Sequence, residues 1–171
     1  MPMRRKTLAA LLLSLASTAC AIHPPRPGME DIAALLDRMG PPAIEWTHPD
    51  GSRQLAWPTG PRGTHTHMAH IAPDGTLQRI ENVLDAAHFA RVETGMTTED
   101  VARLLGPVAP GHVTRFPARD ELVWEWLHCD DWNQLSRFHV LFDATTLTVR
   151  STLTLRDTEC EFFRTGCWCG R

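Results

Sequence analysis

The sequence predicts an α+β fold built as two tandem units, each of short helices packed on a small antiparallel sheet. Three observations carry that expectation. A helix-forming theme occurs twice, as GMEDIAALLDRMGP over residues 28–41 and as GMTTEDVARLLGP over residues 95–107. Each copy is followed by runs in which apolar and polar residues alternate, the pattern of strands with one face buried. Pro-Asp-Gly and Gly-Pro clusters separate the runs and mark hairpin turns.

The first segment, 1–19, reads as an export signal. Arg4, Arg5 and Lys6 form a positive head, and the apolar stretch TLAALLLSLA that follows is too short to span a bilayer. Ser17, Thr18 and Ala19 then place small residues before Cys20. This ending resembles a bacterial lipobox, which implies cleavage behind Ala19 and acylation of Cys20. Ala19-Cys20-Ala21 also fits the A-x-A site of an ordinary signal peptidase, and that alternative implies a soluble periplasmic or secreted protein. With Cys20 acylated, three chains at about 0.8 kcal/mol per buried methylene hold the protein to a leaflet almost permanently. Ala21 is not the Asp of an inner-membrane retention mark, so the expected address is the periplasmic face of the outer membrane. Residues 20–27 carry three prolines in the run IHPPRP and are expected to be an extended tether.

The first unit, 28–84, opens with its helix and continues with strands expected at 43–47, 53–57, 64–72 and 76–84. The second unit, 85–157, opens with a short helix at 85–92 whose Phe89 and Val92 face inward. Its main helix follows, with Thr97 or Thr98 as cap, Glu99 and Asp100 at the positive end, Val101, Leu104 and Leu105 as the apolar stripe and Gly106-Pro107 as the stop. Strands are expected at 112–116, 122–128, 135–142 and 147–156. Leu122, Trp124 and Trp126 share one face, as do Phe138, Val140 and Phe142. In the last strand Leu147, Val149, Leu153 and Leu155 are expected to oppose Thr148, Arg150, Thr152, Thr154 and Arg156.

Charge narrows the partners. Lys+Arg 17 against Asp+Glu 20 gives a net charge of -3, and without the three basic residues of the export segment the body holds 14 basic against 20 acidic residues. No excess of cations is available to neutralise a phosphate backbone, so nucleic acid is not an expected partner. On such an acidic body, Arg150 and Arg156 on one strand face are the expected interaction face, suited to an acidic partner or anionic headgroups.

The stretch FARVETGMTTEDVARLLGP over residues 89–107, with the Trp-bearing strand at Val123, Trp124, Glu125 and Trp126 and a second strand at Val140, Leu141, Phe142 and Asp143, resembles the BamE (SmpA/OmlA) family. Those are small outer-membrane lipoproteins that assist the machinery inserting β-barrel proteins, with two helices on a three-stranded antiparallel sheet. The resemblance covers roughly 85–157. Residues 28–84 look like a degenerate second copy, and a tandem of such units is similar to the secreted beta-lactamase inhibitor protein. The resemblance implies a non-enzymatic protein-interaction module in barrel assembly or envelope integrity, held by membrane lipid through Cys20 and bound to an envelope protein. The barrel-assembly member is a single unit, whereas this chain has two and a cysteine-rich tail at 158–171, so no binding residues are carried over.

The remaining cysteines are Cys129, Cys160, Cys167 and Cys169, an even number in an exported chain, which favours disulfides. A bond within Cys167-Trp168-Cys169 would be strained, which leaves Cys129 joined to one tail cysteine and Cys160 to the other. A thiolate metal site or a redox Cys-x-Cys has no supporting pattern nearby. His65 and His67 share a strand face with Met68 and His70 on the other, so periplasmic metal binding there needs ligands from elsewhere. Trp124 and Trp126 read as core, and the run His128, Cys129, Asp130, Asp131 reads as a polar hairpin turn. No G-x-S-x-G, H-E-x-x-H, P-loop or dinucleotide fingerprint occurs, and no cofactor or catalytic residue is expected. The exported inhibitor and the metal-binding protein remain the alternatives to the interaction module.

Overall fold

The computed structural model describes residues 27–28, 31–60, 62–158 and 169. In chain order the elements are α1 (Ile32–Met39), β1 (Ile44–Thr47), β2 (Arg53–Pro58), β3 (Thr66–Ile71), β4 (Leu77–Asn82), α2 (Ala86–Phe89), α3 (Thr98–Leu105), β5 (Val113–Phe116), β6 (Glu121–Cys129), β7 (Leu135–Asp143) and β8 (Val149–Arg156). The strands form two four-stranded antiparallel meanders, β1-β2-β3-β4 and β5-β6-β7-β8. The expected class, short helices on a small sheet, is corrected: the molecule is mostly strand, with only about 20% helix. The cause is local. Both helical themes stop after eight residues at a glycine with positive φ, Gly40 and Gly106, each followed by a proline that cannot continue the helix. The helix expected at 85–92 shrinks to the four residues of α2.

The helix starts are chemically fixed. The Asp31 carboxylate accepts from the Ala34 amide at 2.9 Å, and Thr97 and Asp100 form a reciprocal capping box. Such caps each contribute about 1 kcal/mol. In both units the cap residue also bridges to the turn before the last strand, Asp31 to Thr76 and Thr97 to Thr148. The Gly28 amide donates to the Leu77 carbonyl just as the Gly95 amide donates to the Val149 carbonyl. A register shift follows in both, between His70 and Ile71 and between Leu141 and Phe142. The repeated theme thus extends from the helices into the strands.

The layers run α1, first sheet, α2 with α3, second sheet. Leu35 of α1 is buried on Leu55, Trp57, Ala69 and Ile71 of the first sheet. The other face of that sheet, with Trp46, Ala56 and Met68, packs on Ala102 of α3. Val101 and Leu105, one helical turn apart, point instead into the cluster of Trp126, Phe138, Val140 and Phe142 on the second sheet. Polar contacts fix α3 to the first sheet: the Trp46 indole N–H donates to Glu99 at 2.8 Å, and the Arg103 guanidinium lies 5.6 Å from the Trp46 ring centroid. At Gly106 a Cβ would come within 2.5 Å of Thr66 Cγ2, so the small residue lets the two units approach.

The alternation expected in the last strand is broken. Phe142 pairs with Val149 and Leu141 with Ser151, which leaves Arg150 as the extra residue of a bulge. Beyond it the faces swap. Thr152 and Thr154 pair with Val140 and Phe138 on the helix-covered side, while Leu153 and Leu155 pair with His139 and Arg137 on the other and are 37% and 52% exposed. Leu147 lies in the turn at φ 57 and is exposed, so the row Leu147, Val149, Leu153 and Leu155 is not one buried face. Trp126 is buried as expected, and Trp124 is half-buried against the same cluster.

Candidate functional site

The central hairpin of the second sheet is longer than its counterpart in the first. β6 and β7 have nine residues each, whereas β2 and β3 have six. The register closes at Cys129 opposite Leu135, and residues 130–134 make the tip. The Asp130 carboxylate builds this tip, accepting from the Trp132 amide at 2.9 Å and the Gln134 amide at 2.8 Å. The Gln134 amide, then desolvation in the opposite sense and the Trp132 amide, leave the Asp130 carboxyl below the usual range, so it is ionised and a strong acceptor at neutral pH. Asn133 takes the left-handed conformation that its side chain tolerates, at φ 58.

The tip is stapled twice. Cys129 is disulfide-bonded to Cys169, the Cys169 amide donates to the Asn133 carbonyl at 3.0 Å, and the Asn133 side-chain amide donates back to the Cys169 carbonyl at 3.3 Å. On this fixed turn Trp132 is 77% exposed, far more than any other large apolar side chain among the described residues. A large aromatic ring held in water by a rigid backbone is the kind of group that anchors protein interfaces. Trp132 has no role in the sequence expectation, in which the neighbouring His128, Cys129, Asp130 and Asp131 read as a polar hairpin turn. The signal was present: between Asp131 and Asn133 a tryptophan belongs to neither strand face.

Beside the tip lies an open recess of about 300 Å³ between the start of α2 and β6, bounded by Asp85, Phe89, His128, Asp130, Asp131 and Thr154 among others. His128 shares the helix-covered face of β6 with Trp126 and packs edge-on to Phe89 at 4.7 Å between ring centroids. The ring is 5% exposed and its Nε2 has no hydrogen-bond partner. Burial lowers the His128 pKa from its ordinary value, so the ring is neutral at pH 7. For Asp85, burial pushes the carboxyl up, but hydrogen bonds from the amide and ring of His88 outweigh it and hold the group below the usual range.

The residues singled out from the sequence lie elsewhere or only partly here. Cys20, Cys160 and Cys167 lie outside the described residues, as do the export segment and most of the tether and tail. Cys129 pairs with one tail cysteine, Cys169. Arg150 donates to the Asp143 carboxylate and to the Arg119 carbonyl, and Arg156 sits six residues on, at the far end of β8. Six extended residues separate the two by roughly 20 Å, so they do not gather into one basic face. The His65 and His67 rings stack at 6.0 Å, and among the described residues no three His, Cys, Asp or Glu side chains are grouped to hold a metal ion. His65 instead lines a second cleft of about 300 Å³ between the units, whose wall includes Pro58, Pro107, Val108, Pro110 and Trp126. Among the described residues no helix is long and apolar enough to cross a membrane. Comparison of the chain with protein-family models, characterised proteins and solved structures found no match.

Proposed function

We propose that this protein is a non-enzymatic interaction module of the bacterial envelope, tethered to the outer membrane through acylated Cys20, that recognises a protein partner with the stapled hairpin tip around Trp132. The observation that carries the reading is the exposure of Trp132 on a turn fixed by the Asp130 carboxylate and the Cys129–Cys169 bond. Fixing the backbone of the turn beforehand lowers the ordering cost at binding, which helps a single aromatic side chain to dominate an interface. The lipobox-like ending at Cys20 and the BamE-like stretch at 89–107 support the envelope setting and point to barrel assembly or envelope integrity as the process served.

The test has two arms. Cys20→Ser is expected to abolish palmitate labelling and move the protein from membranes to the soluble fraction; an unlabelled wild type defeats the tether. Trp132→Ala is expected to leave the thermal midpoint unchanged while removing the protein that co-purifies from detergent-solubilised envelopes. Retention of that protein by Trp132→Ala defeats the tip.

A further inference from the structure

One edge of the second sheet is β8, and only its start is covered. The Val149 carbonyl accepts from the Gly95 amide, the Val149 amide donates to the Met96 carbonyl, and the Thr94 hydroxyl donates to the Arg150 carbonyl. From Arg150 to Arg156 every residue of the strand is exposed. The Asp157 amide donates to the Leu135 carbonyl, and residues of an antiparallel strand turn their N–H and C=O groups alternately toward and away from the neighbour. Leu155 and Leu153 therefore bond to β7. Thr152, Thr154 and Arg156 turn theirs outward, where no hydrogen bond from a described residue meets them.

An edge of this kind is a template for another strand, and edges that stay alone are guarded by charge, proline or a cover. The matching strand of the first unit has such a guard. Leu77 of β4 pairs with Ile71 at the register shift as Val149 pairs with Phe142, so Glu81, opposite Met68, corresponds to Leu153, opposite His139. Glu81 is ion-paired with Arg79 at 2.8 Å. Between Arg150 and Arg156, β8 has neither charge nor proline, and the bulge sets Leu153 and Leu155 on the outer face, exposed.

The occupant that fits this edge is a second copy of it. The chain's own tail is held elsewhere, since Cys169 is bonded to Cys129 of β6, two strands in from β8. Two β8 strands laid antiparallel about a two-fold axis at Thr154 join all three outward residues of each copy. Thr152 meets Arg156 of the second copy, Thr154 meets its equivalent, and Arg156 meets Thr152 of the second copy. On the outer face the same register sets Leu153 opposite Leu155 of the second copy, and Leu155 opposite Leu153, so four exposed leucines cover one another. Like charges are kept apart, because each Arg156 meets a threonine at opposite ends of the pair. Backbone, apolar and charge matching thus come together from one symmetry operation.

We propose that the protein forms a two-fold dimer through β8, joining two four-stranded meanders into one eight-stranded antiparallel sheet.

The test is sedimentation equilibrium of the full-length oxidised chain, in excess density-matched detergent so that neither lipid nor the apolar amino terminus joins copies. One pair of strand edges is small beside the roughly 1,200–2,000 Å² of a standard interface, so a monomer–dimer equilibrium is expected between about 1 µM and 1 mM. As concentration rises, the amides of Thr152, Thr154 and Arg156 should exchange more slowly, while those of Leu153 and Leu155, already bonded to β7, stay unchanged. Leu153→Glu copies the first unit's guard at an exposed position and acts twice across the axis, so it should weaken the dimer at least about tenfold with the thermal midpoint kept. Thr154→Pro, which removes an outward N–H and no bond of the β7 ladder, should do the same. Mixing Leu153→Glu with Leu155→Lys should restore association, since this register sets the introduced carboxylate opposite the introduced ammonium. A chain that stays monomeric throughout that range, outward amides that exchange alike at all concentrations, assemblies larger than a dimer, a dimer indifferent to both Leu153→Glu and Thr154→Pro, or a mixture no tighter than either variant alone overturns the proposal.

Discussion

The two units share a plan down to the same bridges and the same register shift, yet their central hairpins end differently. In the first unit β2 and β3 stop after six residues and are joined through residues 59–65, with both faces of their sheet covered, one by α1 and the other by α3. In the second unit β6 and β7 are each three residues longer. The extra length carries His128 and Cys129 at the end of β6 and, beyond it, the turn with Trp132. A repeated unit thus supplies a frame, and the proposed recognition surface lies where one copy outgrows the other. The first unit instead contributes support, because α3 is packed by both sheets at once.

The largest expected effect probes that shared layer. Trp126→Ala should cost roughly 3 to 5 kcal/mol, since the ring is buried among Val101, Leu105, Phe138 and Val140. Because α3 also holds the first sheet through Trp46, Ala102 and Arg103, chemical denaturation should show one transition for both units. A first sheet that survives a molten second one would break the comparison.

Next in size is the staple. Removing the Cys129–Cys169 bond, which spans a sequence separation of 40, should cost about 2–4 kcal/mol. Amide exchange should then quicken first at Trp132, Asn133 and Gln134, while residues 59–65 of the first unit stay unchanged. Uniform loosening of both hairpins would contradict a local role for the bond.

A smaller effect comes from pH. Burial holds His128 below its ordinary value of 6.5, so the unfolded chain binds a proton first, and stability falls as pH drops through the unfolded pKa toward the folded one. His67 and His70, lowered mainly by burial in the first sheet, add to the same slope. Unfolding free energy measured at about pH 5.5 should therefore be lower than at about pH 7.5. His128→Phe should flatten part of that difference, and an unchanged slope would mean that His128 is not the buried neutral ring described here.

Much of the frame was legible in the sequence. Gly40-Pro41 and Gly106-Pro107 announced the helix stops, Thr97 or Thr98 announced the cap, with the partner Asp100 shown by the structure, and the alternation at Leu122, Trp124 and Trp126 announced the face of β6 turned to the core. What alternation does not show is a bulge: one extra residue at Arg150 exchanged the faces of everything after it and exposed Leu153 and Leu155. The strands themselves were legible, and what the expected class understated is how far they dominate helices that stop after eight residues or fewer. The recess was not legible, since Asp85 and Asp131 lie 46 positions apart and meet only through the packing of α2 on β6. Trp132 was legible as a residue that fits neither strand face.

The central claim is that the second hairpin tip, and not the first, is the recognition surface. It is tested most directly by placing a photo-crosslinking amino acid at Trp132 in one strain and at Arg62, between β2 and β3, in another, and irradiating cells that make the full-length chain. A single discrete adduct from position 132, lost when the Cys129–Cys169 bond is removed and absent from position 62, is the result expected. Equal adducts from both positions, or none from 132 while 62 gives one, would contradict it.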